Sequence, residues 1–151
     1  MDCGFVSLPT TNDLETCFLM RDELVAVLPV DHPLATAPNF PIKQLEGAPL
    51  IKLRERADYE VSRFLDHIPY APTVRYEVSS DHTILSMVEC GLGISITHSL
   101  IAETDRYNVV CKRFDKGQHR DIAIATAKNA RITSATKLFI DHVCSNFSNE
   151  K

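Results

Sequence analysis

Leu24-Val25-Ala26-Val27-Leu28, with Glu23 before it and Pro29-Val30 after it, is an apolar run with no polar break. A strand with one wet face alternates apolar and polar residues, so an unbroken run calls for cover on both faces. Cover on both faces is what a parallel or mixed sheet lying between helices provides. Downstream, Pro29, Pro33, Pro38 and Pro41 forbid regular structure until about Ile42.

Working outward, Cys3 to Ser7 reads as a short buried strand, closed by Leu8-Pro9 and the polar turn Thr10 to Asp13. Leu14 to Met20 reads as a second extended segment. On the other side, Ile42 to Glu46 makes a single helical turn ended by Gly47, and Pro49 to Lys52 a short strand. Asp58 to His67 predicts a helix with Val61, Phe64, Leu65 and Ile68 on one side. Thr73 to Val78 alternates like a strand. Ser79 or Ser80 then caps a helix with the stripe Ile84, Met87 and Val88, ended by Gly91. Gly93 to Thr97, Val109 to Arg113 and Asp121 to Thr126 are further strands, and Ser99 to Ala102 is a helical turn. The last helix is capped at Thr133 or Ser134 and carries Ala135, Leu138, Phe139 and Val143 on one face. Strands alternating with helices predict an α/β fold with a mixed, mainly parallel sheet.

The chain is long enough, at 151 residues, for one domain or two small lobes. Sixteen Lys and Arg against twenty Asp and Glu give a formal net charge of −4, the wrong sign for a domain that grips phosphates by itself. The N-terminus lacks the basic and apolar regions of an export signal, and the longest apolar run is too short to span a bilayer. A cytoplasmic setting without membrane contact is expected. Cys3, Cys17, Cys90, Cys111 and Cys144 are odd in number and scattered, which favours five reduced thiols, mostly packed as small hydrophobes, over metal binding or a redox switch.

Three stretches, in this order, carry a resemblance. Asp22 to Ala35 runs a strand into Asp31-His32-Pro33-Leu34-Ala35, Leu45 to Ile51 reads Leu-Glu-Gly-Ala-Pro-Leu-Ile, and Thr83 to Ile96 joins a helix through Gly91-Leu92-Gly93-Ile94 to a strand. Together they resemble the effector domain of bacterial LysR-type transcriptional regulators, over nearly the whole chain. Thr97-His98 departs from the pattern, because a proline commonly closes that strand in the family. The resemblance implies a type II periplasmic-binding-protein-like domain of two lobes with a small-molecule effector between them. Residues 1–22 would be part of the first lobe, 23–119 the complete second lobe, and 120–151 the return to the first lobe with a C-terminal helix. The rest of the first lobe and the winged helix-turn-helix DNA reader would then lie outside this chain. Homo-oligomers are implied as well, with DNA contacted only through that missing domain.

Candidate ligand contacts gather at the helix after Val78. Its first N–H groups lack intrahelical partners and sit at the positive end of the helix dipole, which suits a carboxylate. Ser79, Ser80, His82 and Thr83 add hydroxyl and imidazole groups there, while Asp81 competes for the same positive end. The same serines also serve as plain helix caps, with or without a ligand. Thr97 and His98 close the following strand, and Ser7 ends the first one; these are second candidates. No catalytic, metal or cofactor constellation assembles: His32, His67, His82, His98, His119 and His142 show no metal-ligand spacing, and Gly91-Leu92-Gly93 lacks the third glycine of a dinucleotide loop. An effector sensor is therefore expected rather than an enzyme, with a periplasmic-type solute-binding protein for transport as the alternative.

Overall fold

The structure is a computed structural model describing residues 2–54 and 60–147. Its chain divides into two compact units, one made of Met1–Asp22 with Arg120–Lys151, the other of Glu23–His119. The two segments read as separate strands, Leu14 to Met20 and Glu23 to Val30, are one strand, β2 (Leu14–Pro29). At the join, Arg21 and Asp22 are both paired: Arg21 Nε lies 3.1 Å from Asp121, and the fully buried Asp22 accepts Arg120 Nε and Nη2 at 3.0 and 2.8 Å.

The larger unit is built around the second half of β2. Strands β5 (Ser95–His98) and β6 (Val109–Arg113) flank it, both antiparallel to it. Strand β3 (Pro49–Leu53) runs parallel to β4 (Thr73–Val78) and meets the start of β5 through a parallel bridge between Leu50 and Ile94. Among the described residues of this unit, β3, β4, β5 and β6 thus run one way and β2 the other, so the sheet is mixed.

That run is buried on both faces, and strict alternation sorts its side chains. Leu24, Ala26 and Leu28 join Phe40, Leu45, Leu50, Phe64 and Phe114 in one core, under helix α1 (Glu60–His67) and the 3-10 turn Ile42–Leu45. Val25 and Val27 join Ile51, Ile84, Leu85 and Val88 on the opposite face, under helix α2 (Asp81–Glu89) and the turn α3 (Ser99–Ala102). Leu28, Leu45 and Val27 are entirely out of water, each worth about 1.5–3 kcal/mol of burial. Residues 58 and 59 of the sequence-predicted helix lie outside the described residues.

Gly91 takes φ +73° just after α2, as a C′ glycine should. Gly93 has another reason for being glycine than the sharp turn expected of it. A Cβ there would sit 2.5 Å from the Pro49 carbonyl oxygen, because the Ile94 N–H donates to that oxygen at 2.9 Å and the Ile51 N–H to the Ile94 carbonyl at 2.8 Å. The His-Pro-Leu-Ala motif is explained too: His32 Nδ1 accepts the Leu34 N–H at 3.1 Å and closes the turn, with the ring against Phe40.

In the smaller unit, β1 (Gly4–Leu8) pairs antiparallel with β7 (His119–Ala127), which lies between β1 and β2. Helix α4 (Ser134–Phe147) is capped by Thr133, whose hydroxyl accepts the Thr136 N–H at 3.1 Å. None of its residues is buried, and Leu138 and Phe139 of the expected apolar face are 70% and 47% exposed. The expectation of five separate thiols fails here. Cys17 on β2 and Cys144 on α4 are disulfide-bonded, leaving Cys3, Cys90 and Cys111 free. A separation of 127 residues left no spacing signal for the pair.

Candidate functional site

Helix α2 starts where β4 ends, and the connection is two residues long. Ser80 occupies the N-cap position in extended backbone conformation (φ −144°, ψ 132°), and its carbonyl accepts the first helical bond, from Ile84 at 3.1 Å. Its hydroxyl makes no capping hydrogen bond, however, so the side-chain cap expected of Ser79 or Ser80 is not formed. Asp81 places a carboxylate in the first turn, where the dipole favours it. The N–H groups at this helix start therefore remain uncapped by Ser80.

Around that start, Ser79, His82 and Thr83 are exposed and Ser80 is partly buried. The His82 ring is held in place: its Nδ1 lies 3.2 Å from the Tyr107 hydroxyl, with the two ring centroids 6.2 Å apart. The Ser86 hydroxyl donates to the His82 carbonyl at 2.9 Å, one turn along. At the other end of α2, Glu89 accepts the Asn108 N–H at 2.8 Å, which ties the segment carrying Tyr107 back to the helix. Tyr107 sits in a loop 25 residues from His82, and nothing in the local sequence pattern could have paired them.

Thr97 and His98 are placed differently. Both are buried within β5, opposite Val25 and Leu24 of β2. His98 Nε2 lies 3.6 Å from Glu60 of α1, so the imidazole joins strand to helix. Ser95, two residues earlier, donates its hydroxyl to the Ile51 carbonyl at 2.7 Å. These polar groups serve the inside of the unit, whereas Ser79, His82 and Thr83 face solvent. Ser7 belongs to the smaller unit, exposed on β1 opposite Ile122. That unit also carries an open pocket of about 460 Å³, lined by Leu8, Thr11, Thr16, Asp121 and Lys128 among others.

Burial pushes the Cys111 thiol up to about 11, which suppresses its thiolate. Cys90 is exposed but caps the C-terminal end of α2, where the helix dipole opposes a negative charge. Among the described residues, no three His, Cys, Asp or Glu side chains converge on a metal position, and no helix is long and apolar enough to cross a membrane.

Comparison with known proteins now gives this arrangement a family. The family model for the LysR substrate binding domain matches residues 1–148. Among curated proteins, the chain is 30% identical over 146 residues to the uncharacterized HTH-type transcriptional regulator YvbU of Bacillus subtilis, covering 93% of this chain and 49% of that protein. It is 26% identical over 149 residues to YybE of the same organism, covering 97% and 51%. The chain thus spans about half the length of the curated relatives it matches. Among solved structures, the Synechocystis PCC6803 CcmR regulatory domain in complex with 2-PG superposes with a TM-score of 0.86 at 24% identity, covering 99% of this chain and 74% of that one. The reduced form of the OxyR regulatory domain from Pseudomonas aeruginosa, at 24% identity, gives 0.78 over 96% and 73%. The fold is that of a LysR regulatory domain, and the chain belongs to the LysR substrate binding domain family.

Proposed function

We propose that this chain is the effector-sensing part of a LysR-type transcriptional regulator, and that it receives a small polar molecule at the start of α2. The observation that carries this reading is the exposed group of Ser79, His82 and Thr83 around backbone N–H groups that Ser80 leaves uncapped. Such a helix start offers several aligned donors at a positive dipole end, and a carboxylate supplies the matching acceptors. Asp81 tunes the choice toward ligands that bring a donor as well as an anionic group. Tyr107 fixes the His82 ring, so the imidazole is pre-positioned and little rotamer entropy is lost on binding.

Ser80 contributes from beneath. Thr97 and His98, at the end of β5, are further candidate contacts. The effector carries no chemistry forward; its binding is the signal. DNA contact belongs to a winged helix-turn-helix domain outside this chain, and the assembled regulator is a homo-oligomer in the cytoplasm. The −4 net charge accords with a sensor that leaves phosphate binding to another domain.

Isothermal titration of this chain against 2-PG and a panel of small carboxylates tests the reading. Saturable binding by at least one, weakened about tenfold by Ser79→Ala or Thr83→Ala through loss of a hydrogen bond worth roughly 1.4 kcal/mol, is the expected result. Binding that neither substitution changes would place the effector elsewhere.

A further inference from the structure

Two adjacent residues ahead of β6 fasten their loop to both ends of helix α2. His82, Ser86 and Glu89 follow one another at spacings of four and three residues, which puts them along one side of that helix. The Tyr107 hydroxyl oxygen lies 3.2 Å from His82 Nδ1, and the Asn108 N–H donates to Glu89 at 2.8 Å. The Tyr107 ring is half-buried and packs against the core of Val25, Ile51, Leu85 and Val88. Its hydroxyl is therefore carried on an anchored body, whereas the His82 side chain it meets is exposed at the helix start.

We propose that Tyr107 is a specificity-determining residue, which holds neutral His82 as the tautomer protonated on Nε2. The inference rests on the start of α2 being the effector site. Which imidazole nitrogen carries the proton is set by the hydrogen bond that the other one makes. An unprotonated ring nitrogen is a strong acceptor, whereas a phenol oxygen shares its lone pair with its own ring and accepts weakly. The Tyr107 O–H therefore donates to Nδ1, and the imidazole proton sits on Nε2. That N–H joins the backbone N–H groups at the helix start as one more donor. A carboxylate, which brings only acceptors, is matched there, and a ligand that presents only donors, such as an alkylammonium, is not. With the opposite tautomer, Nε2 would meet a carboxylate lone pair to lone pair. The Asn108–Glu89 bond keeps the tyrosine at this height along the helix, so the hydroxyl and the ring stay in register.

Long-range proton–nitrogen correlation spectra of the ligand-free chain, taken at about pH 8 where an ordinary imidazole is neutral, read the tautomer directly. His82 should carry its proton on Nε2. Tyr107→Phe should bring up the Nδ1-protonated form, while the backbone signals of Ile84, Leu85 and Val88 in the α2 core stay in place. Titration with succinate, as the carboxylate probe, should be about two- to tenfold weaker for Tyr107→Phe, since the released ring has to be ordered on binding. In a His82→Gln background, where a side-chain amide supplies the donor and no tautomer exists, Tyr107→Phe should leave succinate affinity unchanged. A proton on His82 Nδ1 in the parent chain, an unaltered tautomer in Tyr107→Phe, or an equal loss of affinity in the His82→Gln background would each overturn the proposal. Failure of the parent chain to bind succinate, with the tautomer and its response to Tyr107→Phe as stated, would instead sink the carboxylate reading of the α2 start and leave the hold of Tyr107 on His82 supported.

Discussion

The two units of this chain hold themselves together by different means. Residues Glu23–His119 form a sheet with a separate apolar core on each face, and the five-residue run of β2 supplies both. The unit formed by residues up to Asp22 and from Arg120 buries only Leu19, Ala123, Ile124 and Ala125 among its described apolar residues. Its large side chains Phe5, Phe18, Leu138 and Phe139 are exposed. What it has instead are directed links: the disulfide and the buried Asp22–Arg120 pair. A buried ion pair is weak evidence for stability, because desolvation offsets much of its attraction. The larger unit is thus held mainly by burial, whereas the residues of the smaller unit present in this chain bury few apolar side chains beside their disulfide and ion pair.

The sharpest way to break this comparison is to cut the same atoms from each unit. Leu28→Ala removes a side chain with no exposure and should cost about 2–5 kcal/mol in denaturant unfolding. Leu138→Ala removes one that is 70% exposed and should stay within about 0.5 kcal/mol. Equal losses would mean that α4 packs as well as the β2 core does.

A smaller effect probes the joint between β3 and β5. Gly93→Ala pushes a methyl against the Pro49 carbonyl, a backbone atom that cannot swing aside. Overpacking of this kind should cost about 1–3 kcal/mol and should speed amide exchange at Ile51 and Ile94, whose bonds bridge the gap. Gly117→Ala, where a Cβ meets nothing within 4 Å, is the matched control and should change little.

The smallest expected effect is a pH dependence in the larger unit. Burial lowers the His32 pKa below its usual 6.5, with nearby Asp31 opposing, and its Nδ1 must stay unprotonated to accept the Leu34 N–H. A group with a depressed folded pKa gives its full stability above 6.5. That contribution fades as pH falls through the lowered folded value, because the unfolded chain takes up the proton first. Unfolding midpoints measured downward from pH 7 should therefore show a His32 component that His32→Asn removes. A component that survives the substitution would assign the titration to another group.

Much of the larger unit was legible because its signals are local. The unbroken run from Leu24 to Leu28 announced two covered faces, Val61 and Phe64 announced α1, and Gly91 announced the end of α2. The reversed direction of β2 was not legible, since alternation of strands and helices says nothing about a strand that enters from another unit. The site was legible only in outline. Ser79, His82 and Thr83 could be placed at a helix start from sequence, but the unused Ser80 hydroxyl follows from side-chain geometry. The ties from His82 to Tyr107, from His98 to Glu60 and from Cys17 to Cys144 join residues 25, 38 and 127 positions apart. Those pairings exist only after folding.

The central claim is that the start of α2 receives the effector, and amide-resolved NMR titration of this chain with the tightest-binding carboxylate tests it most directly. The account predicts that the largest shifts fall on Ser80, Asp81, His82 and Thr83, that the His82 ring signals move with them, and that α4 amides stay in place. Saturable binding that shifts other residues while leaving 79–83 unmoved would contradict it.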